Sequence, residues 1–359
     1  MPPESSLVEE ATEYDVVVSG SGPAGSTAAF VAANRGLKTL FIEKTGPPRD
    51  KTCGGLLTDL CVEFVRRIIG FEVPDEVQIP PSPMPVFVVP PSGVAQGFVV
   101  PKEKVLNVTR RAFDGWLAAL AVKRGAELQR DTEILGFRLD TDGIEVTLKS
   151  QRAVRKVRTR SLIGADGFYS PVRSQLNPRP LEKRAYYIQE YYPRNGSIRD
   201  WFYLMYRGVT SPIYAYVIPK WDKLCLGIGI HKSVPPTFEA GMARFKEWLT
   251  DEFGFRDDGV TKREGFSVPF GAVTFGEGSV LLAGDAAGLC YPPTGEGITF
   301  AIQSGAAAAE AVASGREGAA EEYATKMARV AKWVEDAAAR TLSMTDEERE
   351  DRIVNKAGL

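Results

Sequence analysis

Six consecutive residues near the amino terminus fit the spacing G-x-G-x-x-G: Gly20, Ser21, Gly22, Pro23, Ala24 and Gly25. The first glycine permits a tight turn, the second lets the backbone approach a pyrophosphate, and the third allows a helix to pack closely on a strand. N–H groups at the start of such a helix attract phosphate oxygens. Glu43 follows 18 residues after Gly25, where a carboxylate can accept hydrogen bonds from ribose hydroxyls. The spacing therefore predicts a dinucleotide site; the alternative is a cluster of turn glycines without a ligand.

A second glycine-bordered turn carries Gly284 and Asp285 directly after an apolar run. In a flavin site, a carboxylate at this place can hold a hydroxyl of the ribityl chain. Gly295 and Gly297 then precede a helix that begins near Ile298, and the N-terminus of such a helix stabilises negative charge on a reduced flavin ring. These features favour FAD over NAD. The alternative is a plain loop with a helix start, because aspartate before small residues is a common helix cap.

The composition argues against several other classes of protein. The 359 residues include 44 lysines and arginines and 46 aspartates and glutamates, a balance that disfavours general binding of nucleic acids or anionic membranes. The single histidine, His231, argues against Ser-His-Asp hydrolases and multi-histidine metal sites. The four cysteines form no CxxC pair, so we predict neither a zinc site nor a disulfide framework. Because no apolar run approaches about 18 residues, we expect a soluble, cytoplasmic protein.

The apolar pattern predicts which elements position the two turns. Residues 14–19 and 38–43 are typical of buried parallel strands, and residues 26–35 of a helix between them, which together make a right-handed βαβ unit. Three further runs predict a β-meander, and a fourth run returns to the buried sheet: residues 133–140, 144–149, 154–159 and 161–165.

The remaining elements are predicted from periodicity and from prolines. Apolar residues near the helical period predict a helix over residues 104–124. The many prolines of residues 74–101 favour a winding edge or linker over a regular element. Residues 180–270 alternate as strands do and predict a second, antiparallel sheet. A buried strand at residues 279–283 and an alanine-rich helical region at residues 297–335 follow.

These elements predict an α/β protein, in which a Rossmann-like FAD-binding domain with a β-meander is joined to a smaller antiparallel-sheet substrate domain. The FAD-binding domain is predicted to be discontinuous. Its predicted segments are residues 12–75, 100–178 and 270–340, those of the substrate domain are residues 76–99 and 179–269, and a C-terminal tail or helix covers residues 341–359.

Taken together, the motifs resemble the geranylgeranyl reductase family, within the p-hydroxybenzoate-hydroxylase-like group of FAD flavoproteins. The narrower signal is the run Lys51-Thr52-Cys53-Gly54-Gly55, since the glycine turn and the Gly-Asp pair are shared across the whole group. Three other segments match as well: Arg110-x-x-Phe113-Asp114, Gly164-Ala165-Asp166-Gly167, and Gly284-Asp285-Ala286 through Gly297-Ile298.

The resemblance implies a role for several residues. Ala24 and Glu43 are expected to contact the adenosine half of FAD, and Arg110 is expected to reach the pyrophosphate. Cys53 and Gly54 are expected to lie beside the isoalloxazine ring, where Cys53 is a candidate catalytic residue; the alternative is a small buried cysteine that serves packing.

The resemblance also implies contacts to the other half of the cofactor. Asp285, Gly297 and Ile298 are expected to hold the ribityl chain and the flavin edge. Ile134 matches a position that contacts FAD through its backbone, and Asp166 belongs to a motif associated with cofactor binding. The complete predicted cofactor-binding set is Gly20, Gly22, Pro23, Ala24, Gly25, Glu43, Lys44, Cys53, Gly54, Arg110, Ile134, Asp166, Gly284, Asp285, Gly295, Gly297 and Ile298.

A tyrosine-rich segment bears on the substrate. The family's prenyl-binding motif has the form Y-x-W-x-F-P, and residues 214–219 read Y-A-Y-V-I-P. Alternation places Tyr214, Tyr216 and Ile218 on one face of a strand, which could line an apolar tunnel or form a simple sheet core. Tyr214 and Tyr216 join Cys53 as candidate catalytic residues.

The predicted function is that of a flavin-dependent reductase, which adds hydrogen across alkene bonds of a hydrophobic isoprenoid substrate by hydride transfer from reduced flavin. Two alternatives remain: an FAD-dependent monooxygenase or dehydrogenase acting on another hydrophobic or peptide-borne substrate, and a redox sensor that uses Cys53 as a responsive thiol. Fold alone does not separate them.

The predicted cofactor is non-covalent FAD, without a metal. No second G-x-G-x-x-G run is present, so we predict no dedicated NADPH domain, and the electron donor is either NADPH or a ferredoxin-like protein. The predicted partners are a hydrophobic small molecule and an electron-donor protein, with peripheral membrane contact and no nucleic acid.

Overall fold

The computed structural model describes residues 12–45, 49–93, 95, 97–151, 153–177, 183–315 and 318–357. The strands of this part of the chain are β1 (Glu13–Ser19), β2 (Thr39–Glu43), β3 (Leu56–Thr58), β4 (Met84–Val89), β5 (Phe98–Asn107), β6 (Glu127–Arg130), β7 (Thr132–Asp140), β8 (Gly143–Ser150), β9 (Val154–Gly164), β10 (Arg184–Pro193), β11 (Phe202–Met205), β12 (Ala215–Lys220), β13 (Lys223–Ile230), β14 (Lys262–Pro269), β15 (Gly276–Glu277) and β16 (Val280–Leu282). The α-helices are α1 (Pro23–Asn34), α2 (Asp59–Phe64), α3 (Arg110–Lys123), α4 (Pro171–Leu176), α5 (Phe238–Phe253), α6 (Ile298–Ala313), α7 (Ala319–Thr341) and α8 (Asp346–Ala357).

The first sheet has a parallel core in the order β16-β9-β1-β2-β6, flanked by the antiparallel pairs β15–β16, β8–β9 and β7–β8. Val17 at the centre of β1 pairs with Leu40 on one side and Leu162 on the other, and all three are fully buried. The predicted βαβ unit and β-meander are confirmed. The third meander strand and the buried strand that follows it are one continuous strand, β9.

Helix α1 is buried over most of its length because it packs between the first sheet and α6. The backbones of the two helices approach closely: a Cβ on Gly305 of α6 would lie 2.2 Å from the carbonyl oxygen of Ala24. The start of α1 is therefore held firmly at the carboxyl end of β1, where the glycine turn lies.

The second sheet has the order β14-β10-β13-β12-β11-β4-β5-β3 and is antiparallel except at one pair, β4–β11, which is parallel. One face packs on α5, which begins after Thr237, whose side chain accepts a hydrogen bond from the N–H of Ala240. The opposite face carries Tyr187, Tyr214 and Tyr216, and residues of α7 and α8 pack against it. The predicted α/β class with a second sheet is confirmed, whereas the division into two domains stays a prediction.

Two local predictions are wrong. Residues 104–107 end β5 instead of beginning a helix, and α3 starts at Arg110 after Thr109, whose hydroxyl accepts a hydrogen bond from the N–H of Ala112. Sheet pairing with β3 and β4 outweighs the helical spacing of the apolar residues there.

The proline-rich stretch at residues 74–101 contains regular structure as well. Strand β4 lies inside the second sheet between β11 and β5. Pro85 lacks an N–H group, and the register of β4 against β5 shifts between Pro85 and Phe87. A local irregularity therefore accommodates the proline without ending the strand. None of the helices in the described ranges combines the length and the apolar character that a membrane span requires.

Candidate functional site

The glycine turn connects the carboxyl end of β1 to the N-terminus of α1. Gly20 has a φ angle of +99°, and a Cβ on Gly25 would lie 1.9 Å from the carbonyl oxygen of Gly20, so neither position tolerates a side chain. The first helical hydrogen bond runs from the N–H of Ser26 to the carbonyl of Gly22. The N–H groups of Ala24 and Gly25, in the first turn of the helix, have no acceptor within the helix and are placed to bind an anion.

Glu43 ends β2 beside this turn and is almost fully buried. Its Oε2 atom accepts hydrogen bonds from the N–H of Ser21 at 3.1 Å, the hydroxyl of Ser21 at 2.9 Å and Nε of Arg49 at 3.0 Å. Burial raises the pKa of Glu43, but the charge and hydrogen bonds of Arg49 and Ser21 outweigh burial and hold it below its ordinary value. Glu43 is therefore an ionised acceptor at the place predicted for the ribose.

Arg49 is a residue of this site that sequence reasoning missed. Its Nη2 atom lies 3.5 Å from Oδ2 of Asp114 and 3.2 Å from the position that a Cβ on Gly22 would take. The guanidinium group thus lies against the glycine turn and bridges Glu43 and Asp114. The signal in the sequence was weak, since Arg49 belongs to none of the recognised motifs.

Arg110 lies at the first turn of α3 and forms a bidentate ion pair with Asp114, at 2.8 and 2.7 Å. Both side chains are buried. Burial lowers the pKa of Arg110, but the charge and hydrogen bonds of Asp114, with a further effect of the nearby Cys53, raise it above its ordinary value, so the residue stays charged. The structure brings Arg110 next to Cys53 and, through Asp114, next to Arg49. Its contact with a pyrophosphate stays a prediction.

The loop that contains Cys53 is held by two lysines. Lys220 donates to the carbonyl oxygens of Gly54, at 2.7 Å, and Val108, at 3.2 Å, and it also donates to Asn107. Lys51 lies 3.7 Å from Oδ2 of Asp285, so this loop meets the second glycine-bordered turn. Lys220 was not predicted from the sequence, because it lies 166 residues from Gly54.

The second turn follows β16 directly. Gly284 and Asp285 begin a 3₁₀ turn, and the N–H of Gly284 donates to the hydroxyl of Ser304 at 2.9 Å. A Cβ on Gly297, the residue before α6, would lie 3.4 Å from Oδ1 of Asp285. Asp285 and the N-terminus of α6, with Ile298 as its first residue, are thus adjacent.

One face of β12 and the residue before it contacts both the loop of Cys53 and Gly54 and the turn of Thr294 and Gly295. The hydroxyl of Tyr214 donates to the carbonyl oxygen of Thr294 at 2.5 Å, beside Gly295. Two residues later along this face, Tyr216 donates to Oε1 of Gln189 at 2.8 Å. At the far end, Cδ1 of Ile218 lies 2.8 Å from the position that a Cβ on Gly54 would take. Tyr214, Tyr216 and Ile218 belong to one buried cluster, and whether a substrate enters it stays a prediction.

Three predicted cofactor-binding residues remain, Asp166, Ile134 and Lys44. Asp166 follows β9, and its Oδ2 atom accepts a hydrogen bond from the hydroxyl of Ser19 at 2.8 Å, while burial raises its pKa. Ile134 is buried in β7, opposite Leu148 of β8. Lys44 is exposed just beyond β2. These positions neither contradict nor establish the predicted contacts to the cofactor.

The residues present fit a flavin adenine dinucleotide. The glycine turn at residues 20–25 leaves its backbone open to a ligand, because side chains at these positions would fill the space. Glu43, 18 residues after Gly25, is an ionised hydrogen-bond acceptor beside this turn. Seven buried side-chain polar atoms lack a hydrogen-bond partner among the described residues, and two of them lie beside the predicted cofactor turns, Oδ1 of Asp166 and Oγ1 of Thr294. A cofactor bound between these turns would offer partners to both atoms.

Comparisons with known proteins agree with this geometry. Residues 13–190 match a family model described as an FAD binding domain. The chain is 31% identical over 320 residues to the digeranylgeranylglycerophospholipid reductase of Thermoplasma volcanium, with 83% of this chain and 77% of that protein covered. It is 29% identical over 315 residues to the geranylgeranyl diphosphate reductase of Rhodobacter capsulatus, with 83% and 75% covered.

Solved structures show the same fold. A geranylgeranyl bacteriochlorophyll reductase-like protein of Thermoplasma acidophilum superimposes with a TM-score of 0.82 at 23% identity, over 97% of this chain and 92% of that chain. A probable FAD-dependent monooxygenase from Pseudomonas aeruginosa superimposes with a TM-score of 0.71 at 17% identity, over 97% and 99% of the two chains. At such identities the likeness is one of fold.

Proposed function

The chain belongs to the geranylgeranyl reductase family of FAD-dependent oxidoreductases, and from this premise we propose that it reduces carbon–carbon double bonds in an isoprenoid chain. The bound flavin supplies hydride chemistry, and the protein supplies binding, orientation and exclusion of water. The relatives named as reductases of geranylgeranyl compounds support this substrate class.

The observation that carries the proposal is the position of the aromatic face formed by Tyr214, Tyr216 and Ile218. It contacts the loop of Gly54 at one end and the turn of Thr294 at the other, which are the two segments predicted to hold the flavin ring. An apolar chain bound along this face would lie beside the ring. Burial raises the pKa of both tyrosines well above the ordinary value, so the face is uncharged and suits a hydrocarbon.

The proposed function requires a bound flavin and a source of electrons. FAD is bound without a covalent bond, and NADPH or a ferredoxin-like protein supplies the electrons. A cleft of about 530 Å³ opens beside Cys53, and Trp221 on its rim is 60% exposed. The exposed cations Arg111, Lys223 and Lys262 line this cleft together with the exposed Asp50 and Asp222, and this excess of positive charge supports it as the place where an anionic donor docks. Because a polyisoprenoid substrate partitions into lipid, the proposal includes peripheral contact with a membrane surface.

An anaerobic reoxidation experiment tests the proposed function. Holoprotein reduced with dithionite is mixed with geranylgeranyl diphosphate, and flavin absorbance is followed. We expect reoxidation with this alkene, whereas the fully saturated diphosphate of the same chain length should leave the flavin reduced. Failure of geranylgeranyl diphosphate and of longer polyprenyl substrates to reoxidise the flavin would contradict the proposal.

A further inference from the structure

Two buried hydroxyl groups beside Gly295 have no hydrogen-bond partner within the described residues: Oη of Tyr187 and Oγ1 of Thr294. A buried hydroxyl that lacks a partner loses its hydrogen bonds to water without replacement, and most buried polar groups avoid this. Of the seven buried polar atoms without a partner in the described part of the chain, these two lie at the turn that is proposed to meet the flavin, where a bound ligand would reach them.

Tyr187 is held in position by the second sheet and by the Gly295 turn. It lies in the middle of β10, opposite Gly229 of β13 and Phe266 of β14. A Cβ on Gly229 would lie 2.9 Å from Cε1 of the ring, and a Cβ on Gly295 would lie 2.8 Å from Cζ and 3.0 Å from Oη. The ring therefore fills the space between these glycines, and its hydroxyl reaches the turn that precedes α6.

The hydroxyl protons of the two neighbouring tyrosines are engaged in hydrogen bonds. The ring of Tyr214 lies 5.6 Å from that of Tyr187, and its hydroxyl donates to Thr294, while the hydroxyl of Tyr216 donates to Gln189. Tyr187 differs from both, because its proton is not engaged by the described part of the chain. Of the three buried phenols in the cluster, it is the one whose proton has no acceptor among the described residues.

We infer that Tyr187 is the proton donor of the alkene reduction, an inference that rests on the proposed function. With reduced flavin bound, transfer of its hydride to one alkene carbon would form a C–H bond as the π bond breaks. The O–H bond of Tyr187 breaks and its proton forms the second C–H bond, at the other carbon. The phenolate regains a proton from water when the product leaves, and the electron donor reduces the oxidised flavin again.

The surroundings of Tyr187 keep the proton in place between turnovers. Burial raises the pKa of Tyr187 well above its ordinary value, and the neighbouring Tyr214, Cys290, Tyr216 and Tyr206 act in the same direction. The phenol is therefore protonated throughout the physiological pH range. A general acid contributes about a hundredfold to ten-thousandfold in rate, and the raised pKa of Tyr187 places its contribution towards the lower end of this range.

The test compares Tyr187→Phe with Tyr186→Phe. Tyr186 is the preceding residue of β10, and its side chain points to the opposite face of the sheet. Without flavin, the thermal midpoint of Tyr187→Phe should equal or exceed that of the wild type, because the variant removes a hydroxyl that lacks a partner. The FAD dissociation constant of both variants should stay within about twofold of the wild-type value.

The rate of anaerobic flavin reoxidation by geranylgeranyl diphosphate should fall at least about a hundredfold in Tyr187→Phe and remain unchanged in Tyr186→Phe. Reoxidation of Tyr187→Phe at the wild-type rate would overturn the assignment, as would loss of stability or of FAD from that variant, which indicates a structural role. If the wild type itself is not reoxidised, the proposed function fails and the proton-donor role fails with it.

Discussion

The guanidinium group of Arg49 donates to the carboxylate of Glu43 at 3.0 Å while it lies against the glycine turn. Glu43 was predicted from its spacing, and Arg49 was not. The pair places a negative and a positive group in direct contact beside the glycine turn, where the adenosine half of FAD is predicted to bind. This relationship gives the first prediction.

Replacing Glu43 with alanine should weaken FAD binding about tenfold or more, because a charged hydrogen bond to a ligand contributes about 1.5–3 kcal/mol. The dissociation constant is measured by the change in flavin fluorescence on binding. Asp15→Ala is the matched control, an acidic residue of β1 whose ion pair with Arg160 is exposed. Equal FAD affinity in Glu43→Ala and in the control would show that the carboxylate does not bind the ribose.

Arg110→Ala should lower both stability and FAD affinity. Removing one partner of a buried ion pair costs about 3–5 kcal/mol of unfolding free energy, because Asp114 is left buried without its bidentate partner. Urea unfolding measures this loss, with the exposed neighbour Arg111→Ala as the control. A variant that unfolds at the same urea concentration as the wild type would show that the ion pair with Arg49 is enough to stabilise the buried carboxylate of Asp114.

Lys220 predicts a pH dependence of stability. Burial lowers its pKa from the ordinary value of 10.5 to about 8. Between these values the unfolded chain holds a proton that the folded protein has released, so the stability of the wild type rises with pH relative to a variant without this group.

The comparison is with Lys220→Met, which keeps the length of the side chain. The difference in unfolding free energy between wild type and variant should shift by up to about 3 kcal/mol in favour of the wild type from pH 7.5 to pH 10.5. Denaturant unfolding at several pH values measures it. A difference that does not change with pH would show that Lys220 is not desolvated in the folded protein.

Cys53 is expected to shape the pocket or relay a proton beside the flavin. Its Sγ atom accepts a hydrogen bond from the N–H of Gly55 at 3.4 Å, and Arg110 lies next to it. Cys53→Ala should keep FAD and slow flavin reoxidation by substrate by up to about a hundredfold, while Cys53→Ser should lose less if a proton is relayed. Wild-type rates in both variants would assign Cys53 to packing.

The two glycine-bordered turns were predictable because each combines a local pattern with a strand before it and a helix after it. The contacts of Arg49 and Lys220 were not predictable, since they depend on which distant segments meet. Asp114 lay within reach of prediction: it follows Arg110 by four residues on a helix, a spacing at which opposite charges pair.

The two wrong predictions of secondary structure also result from contacts between distant segments. The last four residues of β5, 104–107, were predicted as helix from their spacing, and β4 was predicted as irregular from its prolines. Both are strands because they pair in the second sheet, with each other and with β3 and β11. Tertiary pairing decided these segments, and a single sequence contains no direct signal for it.

The mass of the product distinguishes alkene reduction from oxygenation. The holoprotein is incubated with geranylgeranyl diphosphate, an electron donor and oxygen, and the hydrocarbon chain is analysed by mass spectrometry. An alkene reductase adds two hydrogen atoms for each double bond reduced and no oxygen, and this is the expected product. A product heavier by one oxygen atom would exclude alkene reduction and identify a monooxygenase on the same fold.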